Sequence, residues 1–324
     1  TQGVSSAASD VYKRQVQEGS KKAIAAAFFA NLGIAIAKFI GFLITASAGL
    51  LAESFHSLAD TGNQGLLLLG SSRGKRNPSK SHAFGYGRER YFWAFVVAMI
   101  LFSLGGLFAI YEGVNKFRHP HETEYLLVAI AVLAFAVILE SYSLATAIRE
   151  ARKLAGRTPL FEFIRESRQP ELPVVLLEDI GAETGLVVAL IGVTMTAITG
   201  NPRWDAGASI LIGVILVLIA LFLAAETKSM LIGESVAHGD EVKLVDAIES
   251  DPLVKRLIHM RTQHIGPEQI LVAAKIEFDH DLDVHGLSDA INAVEARIRS
   301  AVPHADKVFI EPDVYREDTS PLES

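Results

Sequence analysis

Residues 50–69 read Leu50-Leu-Ala-Glu53-Ser-Phe-His56-Ser-Leu-Ala-Asp60-Thr-Gly-Asn63-Gln64-Gly-Leu-Leu-Leu-Leu69. The run is long enough to cross a bilayer and apolar at both ends, yet its middle carries an imidazole, a carboxylate and two amides. On a helix, His56 and Asp60 stand at i and i+4 and share a face. One imidazole nitrogen and one carboxylate form half of a site for a borderline divalent cation such as zinc. Ionisable groups at membrane depth are costly, so the pair points to a function. Asn63 lies near the same face. Glu53 lies close to the end of the run, where exposure accounts for it.

Working outward, five further apolar runs flank this one, and the six cover about 22–46, 50–72, 90–113, 124–148, 173–199 and 205–227. Six runs near the ~20 residues of a membrane span predict an α-helical membrane protein with six transmembrane helices. Arg73, Lys75, Arg76, Lys80, Arg88 and Arg90 follow run two, and Arg149, Arg152, Lys153 and Arg157 follow run four. The alternate loops (45–49, 115–124 and 199–204) carry few bases. The positive-inside rule then places both termini in the cytoplasm. Residues 1–20 are polar, lack the order of a signal peptide, and read as a disordered lead. Residues 151–172 read as a linker in which Leu160, Phe161, Phe163 and Ile164 alternate with charges, as in a short helix on the membrane surface. Pro170 and Pro173 bracket the entry to span five.

From Lys228 the pattern changes. Residues 240–250 read as a helix with Val242, Leu244, Val245 and Ile248 as its apolar set. Residues 254–265 and 269–278 read as strands separated at Gly266-Pro267, 286–301 as a second amphipathic helix, and 307–311 as a third strand stopped by Pro312. Helix, two strands, helix, strand is a small α+β unit of the split βαβ kind. The expected organisation is a lead at 1–20, a six-helix transmembrane domain at 21–228, a soluble domain at 229–315 and a tail at 316–324.

Composition narrows the chemistry. Of 324 residues, 50% are hydrophobic and the mean hydropathy is +0.31, which fits a membrane part joined to a soluble part. The chain has no cysteine, so neither a disulfide nor a thiolate metal site is available. The net charge is −7, and from residue 229 onward 19 acids face 9 bases. An acidic soluble half argues against nucleic acid as a partner. No Gly-x-x-x-x-Gly-Lys-Ser/Thr loop is present, which argues against an ATPase.

Span five supplies the other half of the candidate metal site. Val174-Val-Leu-Leu-Glu178-Asp179-Ile-Gly-Ala-Glu183 places three acids within six residues. Asp179 and Glu183 form an i, i+4 pair, whereas Glu178 is about 100° round the helix from Asp179. If spans two and five pack together, His56, Asp60, Asp179 and either Glu178 or Glu183 make a four-ligand N/O site. That donor set suits Zn²⁺ and also Mn²⁺, Fe²⁺ or Co²⁺. Asn31, Lys38 and Glu140 are lesser candidates; Lys38 can snorkel or pair with an acid.

These stretches resemble the cation diffusion facilitator family of divalent-metal/proton antiporters. The resemblance covers about 21–314. It rests on residues 50–64, on His82-Ala-Phe-Gly85-Tyr-Gly87-Arg-Glu-Arg90 before span three, on Trp204-Asp205-Ala opening span six, and on Phe309-Ile-Glu-Pro-Asp313. It implies six spans, a ferredoxin-like cytoplasmic domain, a homodimer in the lipid bilayer, and a transport site between spans two and five. His56 and Asp60 match the family's span-two ligands. In span five Asp179 falls at the family's Asp position, but Val175 replaces its histidine, so the chain resembles the zinc-transporter branch with an acidic fifth span. The loop-borne second site of some members is degraded: His82 remains, but Ser79 and Tyr86 stand where an acid and a histidine are expected. In the soluble domain His259, His264, His280, Asp281, Asp283, His285, Glu311 and Asp313 are available to a metal, with Glu311 where a histidine is common.

The resemblance implies a secondary transporter, not an enzyme, that exports Zn²⁺ or a similar ion from the cytoplasm against protons. The expected location is the cell inner membrane. Rivals from other classes are a non-transporting membrane metal sensor or scaffold, and a membrane-embedded hydrolase, for which no nucleophile is evident near the metal residues.

Overall fold

The computed structural model describes residues 32–120, 125–155, 159 and 171–316. Asn31, the lead at 1–20, Leu160, Phe161, Phe163, Ile164 and residues 317–324 lie outside the described residues, as does the surface helix expected in the linker.

The helical region consists of α1 (Leu32–Thr45), α2 (Ala48–Gly74), α3 (Glu89–Ile100), a π-helical turn (Leu101–Leu107), α4 (Phe108–Arg118), α5 (Leu126–Ala155), α6 (Glu171–Thr199) and α7 (Arg203–Ile232). The segments α3, π-turn and α4 form one continuous helix. Three of these helices are long and apolar enough to cross a membrane by length and composition: Glu89–Arg118, Leu126–Arg149 and Arg203–Ile232. Length is not what sets α2 and α6 apart, since they have 27 and 29 residues. They are the helices that carry the polar groups read above. Large apolar side chains face outward, among them Leu127 (81% exposed), Ile138 (67%) and Leu218 (62%). Contiguous exposed apolar surface of this kind is tolerated against lipid, not water.

Local chemistry sets the helix ends. Ala46 turns the chain between α1 and α2 with a left-handed φ of 50°. Ser47 Oγ then accepts from the Leu50 amide, capping the first turn of α2. Gly200 (φ 67°) ends α6 and Gly233 (φ 111°) ends α7, each in the left-handed region open to glycine. Pro173 falls in the first turn of α6, where its missing N–H has no carbonyl to serve.

Three expectations are corrected. The third span does not stop at residue 113 but continues as helix to Arg118, which takes Lys116 out of the loop assigned to it. Glu53 is not exposed at a span end; it is fully buried. Its depth along the helix misled because burial there depends on α1, whose Lys38 Nζ lies 3.3 Å from Glu53 Oε2. In the soluble part Val242 is 44% exposed and does not join Leu244 and Ile248 inside.

The chain divides into two compact units. The first takes residues up to 68, 95–160 and 172–224. The second takes 69–94, 161–171 and 225 onward. The second unit contains α8 (His238–Glu249), β1 (Val254–Gly266), β2 (Gln269–Phe278), α9 (Val284–Ala301) and β3 (Lys307–Pro312). Its sheet order is β1-β2-β3. β1 and β2 form an antiparallel hairpin closed at Gly266↔Gln269, and β3 runs parallel to β2 from Leu271↔Lys307 to Ile276↔Pro312. Element order and helix placement are ferredoxin-like, but the parallel pair is hydrogen-bonded directly, so the βαβ crossover is not split by an intervening strand. Ile270, Val272, Ala274, Ile276 and Phe278 alternate into the core, where they meet Leu244 and Ile248 of α8 and Ala290, Val294 and Ile298 of α9. Asp283 caps α9 by accepting from the Gly286 amide at 2.7 Å.

Candidate metal site

The groups read from spans two and five meet inside the first unit. Asp60 and Gln64 of α2, Glu178 and Asp179 of α6, and Glu140 of α5 line one small cavity of about 20 Å³, together with Ile34, Ser57 and Val175. Asn63 Nδ2 donates to Glu178 Oε1 at 2.6 Å and ties the two helices together at the level of the site. Asn63 is fully buried and Glu178 nearly so. A buried carboxylate needs such a donor, because an unmatched polar group costs about 1–3 kcal/mol and a charge more.

His56 sits beside this cavity and is not part of its lining. It is fully buried, and its Nε2 lies 3.5 Å from Asp60 Oδ2, too far for a good hydrogen bond. Neither ring nitrogen makes a hydrogen bond among the described residues. On its far side runs the π-helical turn of the third span: a Cβ built on Gly105 would lie 3.9 Å from His56 Nδ1. Two glycines, Gly105 and Gly106, occupy that turn, and a Cβ on Gly106 would come to 2.6 Å from Val217 Cγ2 of α7. The missing side chains allow the third span and α7 to touch, and the widened turn falls next to the imidazole.

Glu183 takes a separate position. Its Oε1 accepts from Ser141 Oγ of α5 at 2.7 Å, and it does not line the cavity that holds Asp60, Glu178 and Asp179. Lys38 is buried, paired with Glu53, and donates to Ser57 Oγ at 2.7 Å. Gly185 of α6 lies against the same carboxylate, since a Cβ there would overlap Glu53 Oε1. Among the described residues no three His, Asp or Glu side chains converge closely enough to hold an ion as they stand.

A second buried network was not read from the sequence. Lys116 and Asp205 are both fully buried, with Nζ to Oδ2 at 2.8 Å. Asp205 Oδ1 also accepts from Ser47 Oγ (3.0 Å) and the Gly49 amide (3.3 Å), and Lys116 Nζ donates to the Ala46 carbonyl (2.9 Å). The network joins the α1–α2 turn to the end of α4 and the start of α7. The signal was available in Trp204-Asp205-Ala, an acid opening a span; its partner lay hidden in an apparent loop.

The other candidate clusters have structural partners. Ser79 Oγ and Tyr86 OH are 3.0 Å apart, and His82 stacks on Tyr86 with centroids at 4.5 Å. In the soluble domain Lys275 bridges Glu311 (3.0 Å) and Asp313 (2.9 Å), and His280 Nε2 lies 3.1 Å from Glu277 Oε1. The Lys275 ammonium holds Asp313 below its ordinary carboxylate range, and Asp313 and Glu311 in turn raise Lys275.

Residues 24–232 match the model of the cation efflux transmembrane domain. The proton-coupled zinc antiporter SLC30A9 of Mus musculus is 34% identical over 244 residues, 75% of this chain and 43% of that protein. Metal tolerance protein C4 of Arabidopsis thaliana is 30% identical over 267 residues, 82% of this chain and 58% of the relative. The chain therefore spans about half the length of these relatives. Magnetosome protein MamB of Magnetospira sp. (strain QH-2) is 23% identical over 286 residues, 88% and 92% of the two chains. A solved C-terminal domain of MamM aligns at 22% identity over 24% of this chain and 93% of its own, with a TM-score of 0.23. The family model covers well over half of the residues, including every helix that builds the cavity, and the chain belongs to the cation efflux family.

Proposed function

We propose that the chain is a secondary transporter that moves divalent metal cations, Zn²⁺ first among them, out of the cytoplasm in exchange for protons. The observation that carries this is the gathering of Asp60, Glu178 and Asp179 from two helices around one buried cavity, with His56 adjoining. Carboxylates at membrane depth require a cation or protons. Metal binds ionised carboxylates and neutral imidazole, so a metal ion and protons compete for the same atoms. Loading from one side and protonation from the other then exchange the two without a separate proton path.

The ligand set we assign is His56, Asp60, Asp179 and Glu178. Glu178 is preferred to Glu183 as the second span-five acid because it lines the cavity, whereas Glu183 is bonded to Ser141. Closing the set requires a modest shift of His56 toward the cavity, from the 3.5 Å that separates its Nε2 from Asp60 Oδ2. The names of the antiporter and metal tolerance relatives support the same reading. Mn²⁺, Fe²⁺ and Co²⁺ are the alternative substrates, since three carboxylates to one imidazole is a hard donor set. The membrane we assign is the cell inner membrane, with both termini cytoplasmic and two protomers paired.

The test is metal flux into sealed proteoliposomes with and without a pH gradient, for Zn²⁺, Mn²⁺, Fe²⁺ and Co²⁺. Gradient-dependent zinc flux, lost in Asp179→Ala and in Glu178→Gln but retained in Glu183→Gln, is expected. Folded protein that moves none of these ions refutes the transporter and favours the sensor or scaffold.

A further inference from the structure

The segment His82-Ala-Phe-Gly-Tyr-Gly-Arg-Glu89 does not line the metal cavity, and its backbone is tightly constrained. Gly85 adopts a left-handed φ of 88°. Gly87 lies so close to the β1–β2 turn that a Cβ would approach the Ile265 carbonyl to 2.6 Å. The ring of Tyr86 is covered by the Arg76 guanidinium at 4.9 Å. These contacts fix the segment against the hairpin and leave a cavity of about 880 Å³ beside it, all within the second unit. That volume falls in the ~300–1,000 Å³ range of ligand pockets.

The cavity wall is amphiphilic. Phe84, Phe92, Leu231 and Ile265 supply its apolar side, and Arg73 and Arg88 supply two cations. Of the other arginines nearby, Arg90 donates to both oxygens of Glu171, and Arg76 and Arg73 lie over the rings of Tyr86 and Trp93. Arg88 differs. Its Nε is buried and makes no hydrogen bond among the described residues. A buried guanidinium N–H without an acceptor is costly, and carboxylate and phosphate oxygens are the acceptors its planar fork fits. The acid on the wall, Glu89, already accepts from Trp93 Nε1 at 2.9 Å. Arg73 closes the last turn of α2, Phe92 lies in the first turn of α3, and Leu231 lies in the last turn of α7. Ends of membrane helices lie at the level of lipid headgroups, where basic pockets take anionic ones.

We propose that this cavity binds the headgroup phosphate of an anionic phospholipid, held by Arg88 and Arg73, with the start of an acyl chain along Phe84, Phe92 and Leu231. The site is independent of the metal-transport reading.

The test uses the full chain in neutral maltoside micelles. Dioctanoyl phosphatidylglycerol, dioctanoyl phosphatidylcholine and inorganic phosphate are titrated separately, following melting temperature and the fluorescence of Trp93, whose ring lies 5.5 Å from the Arg73 guanidinium. Saturable binding of the glycerol lipid is expected, about tenfold tighter than the choline lipid, and weakened about tenfold by Arg88→Gln, the loss of one charge-assisted bond. Equal response to both lipids overturns the proposal. So does a full response to inorganic phosphate alone, which would mark a free-anion site. Should Arg88→Gln fail to fold, Arg73→Gln, at an exposed helix end, and Arg88→Lys serve instead. Unchanged glycerol-lipid curves in both overturn it, and weakening in either supports it.

Discussion

Replacing Lys116 by methionine tests how the bundle is held at the α1–α2 turn. The ammonium is fully buried, 2.8 Å from Asp205 Oδ2 and 2.9 Å from the Ala46 carbonyl. Methionine matches the stem in volume, so little cavity is created, and the cost is electrostatic. The Asp205 carboxylate keeps Ser47 Oγ and the Gly49 amide as donors but loses its counter-charge. Removing one partner of a buried pair costs about 3–5 kcal/mol. Ala46, already at a φ of 50°, also loses the bond that helps hold its backbone there. For a chain of this size ~1 kcal/mol shifts melting by about 2–4 °C, so a fall of roughly 6–20 °C is expected. The assay is thermal unfolding in detergent, followed by fluorescence-detected gel filtration. Adding Asp205→Asn, which retains an acceptor for Ser47 and Gly49 but no charge, should recover part of the loss, a coupling of about 1–3 kcal/mol. A Lys116→Met protein that melts within about 2 °C of wild type, or a double variant whose losses simply add, refutes this account.

Two further outcomes follow from other contacts. Gly185→Ala places a methyl group against the Glu53 carboxylate, whereas among the described residues nothing lies within 4 Å of such a group at Gly33. Gly185→Ala should therefore cost about 1–3 kcal/mol from overpacking, while Gly33→Ala should gain up to about 1 kcal/mol of helix propensity; opposite signs in the same melting assay are the check. In the soluble domain, Lys275 depresses the pKa of Asp313. A depressed carboxylate stabilises the fold above its unfolded pKa and loses that contribution as pH falls through the folded one. The melting difference between wild type and Asp313→Asn should hold through neutral pH and narrow below about pH 4; a difference that stays constant into that range contradicts the pairing.

Much of this architecture is legible in the chain because the bilayer makes errors expensive. A span must be apolar over ~20 residues, so the polar groups of α2 and α6 announce themselves without structural help. The hairpin and both helices of the soluble unit are equally plain, since β2 alternates at period two and α9 at 3.6. What the pattern does not carry is partner choice across long separations. Lys116 looked like a loop residue because Asn115-Lys-Phe-Arg118 resembles any basic helix end. Asp205, 89 positions later, and the Ala46 carbonyl explain why it is buried. Glu53 was misjudged for the same reason, its depth being set by Lys38 on a different helix.

The span-five acids show where geometry overrides face arithmetic. By helical angle Glu178 stands off the Asp179–Glu183 face, and the sequence leaves either Glu178 or Glu183 as the second acid. That arithmetic assumes a two-helix site with one narrow face. The cavity instead draws on four helices, because Ile34 of α1 and Glu140 of α5 line it beside α2 and α6. A site bounded by four helices accepts neighbours 100° apart, and Glu178 and Asp179 both line it. The Asn63 amide reaches Glu178 at 2.6 Å and anchors that acid beside the cavity. Glu183, one turn further along, is left to Ser141. The two acids therefore differ in kind. Glu178→Gln removes a charge from the cavity and weakens metal transfer. Glu183→Gln still accepts from Ser141 through its amide oxygen and leaves transfer intact.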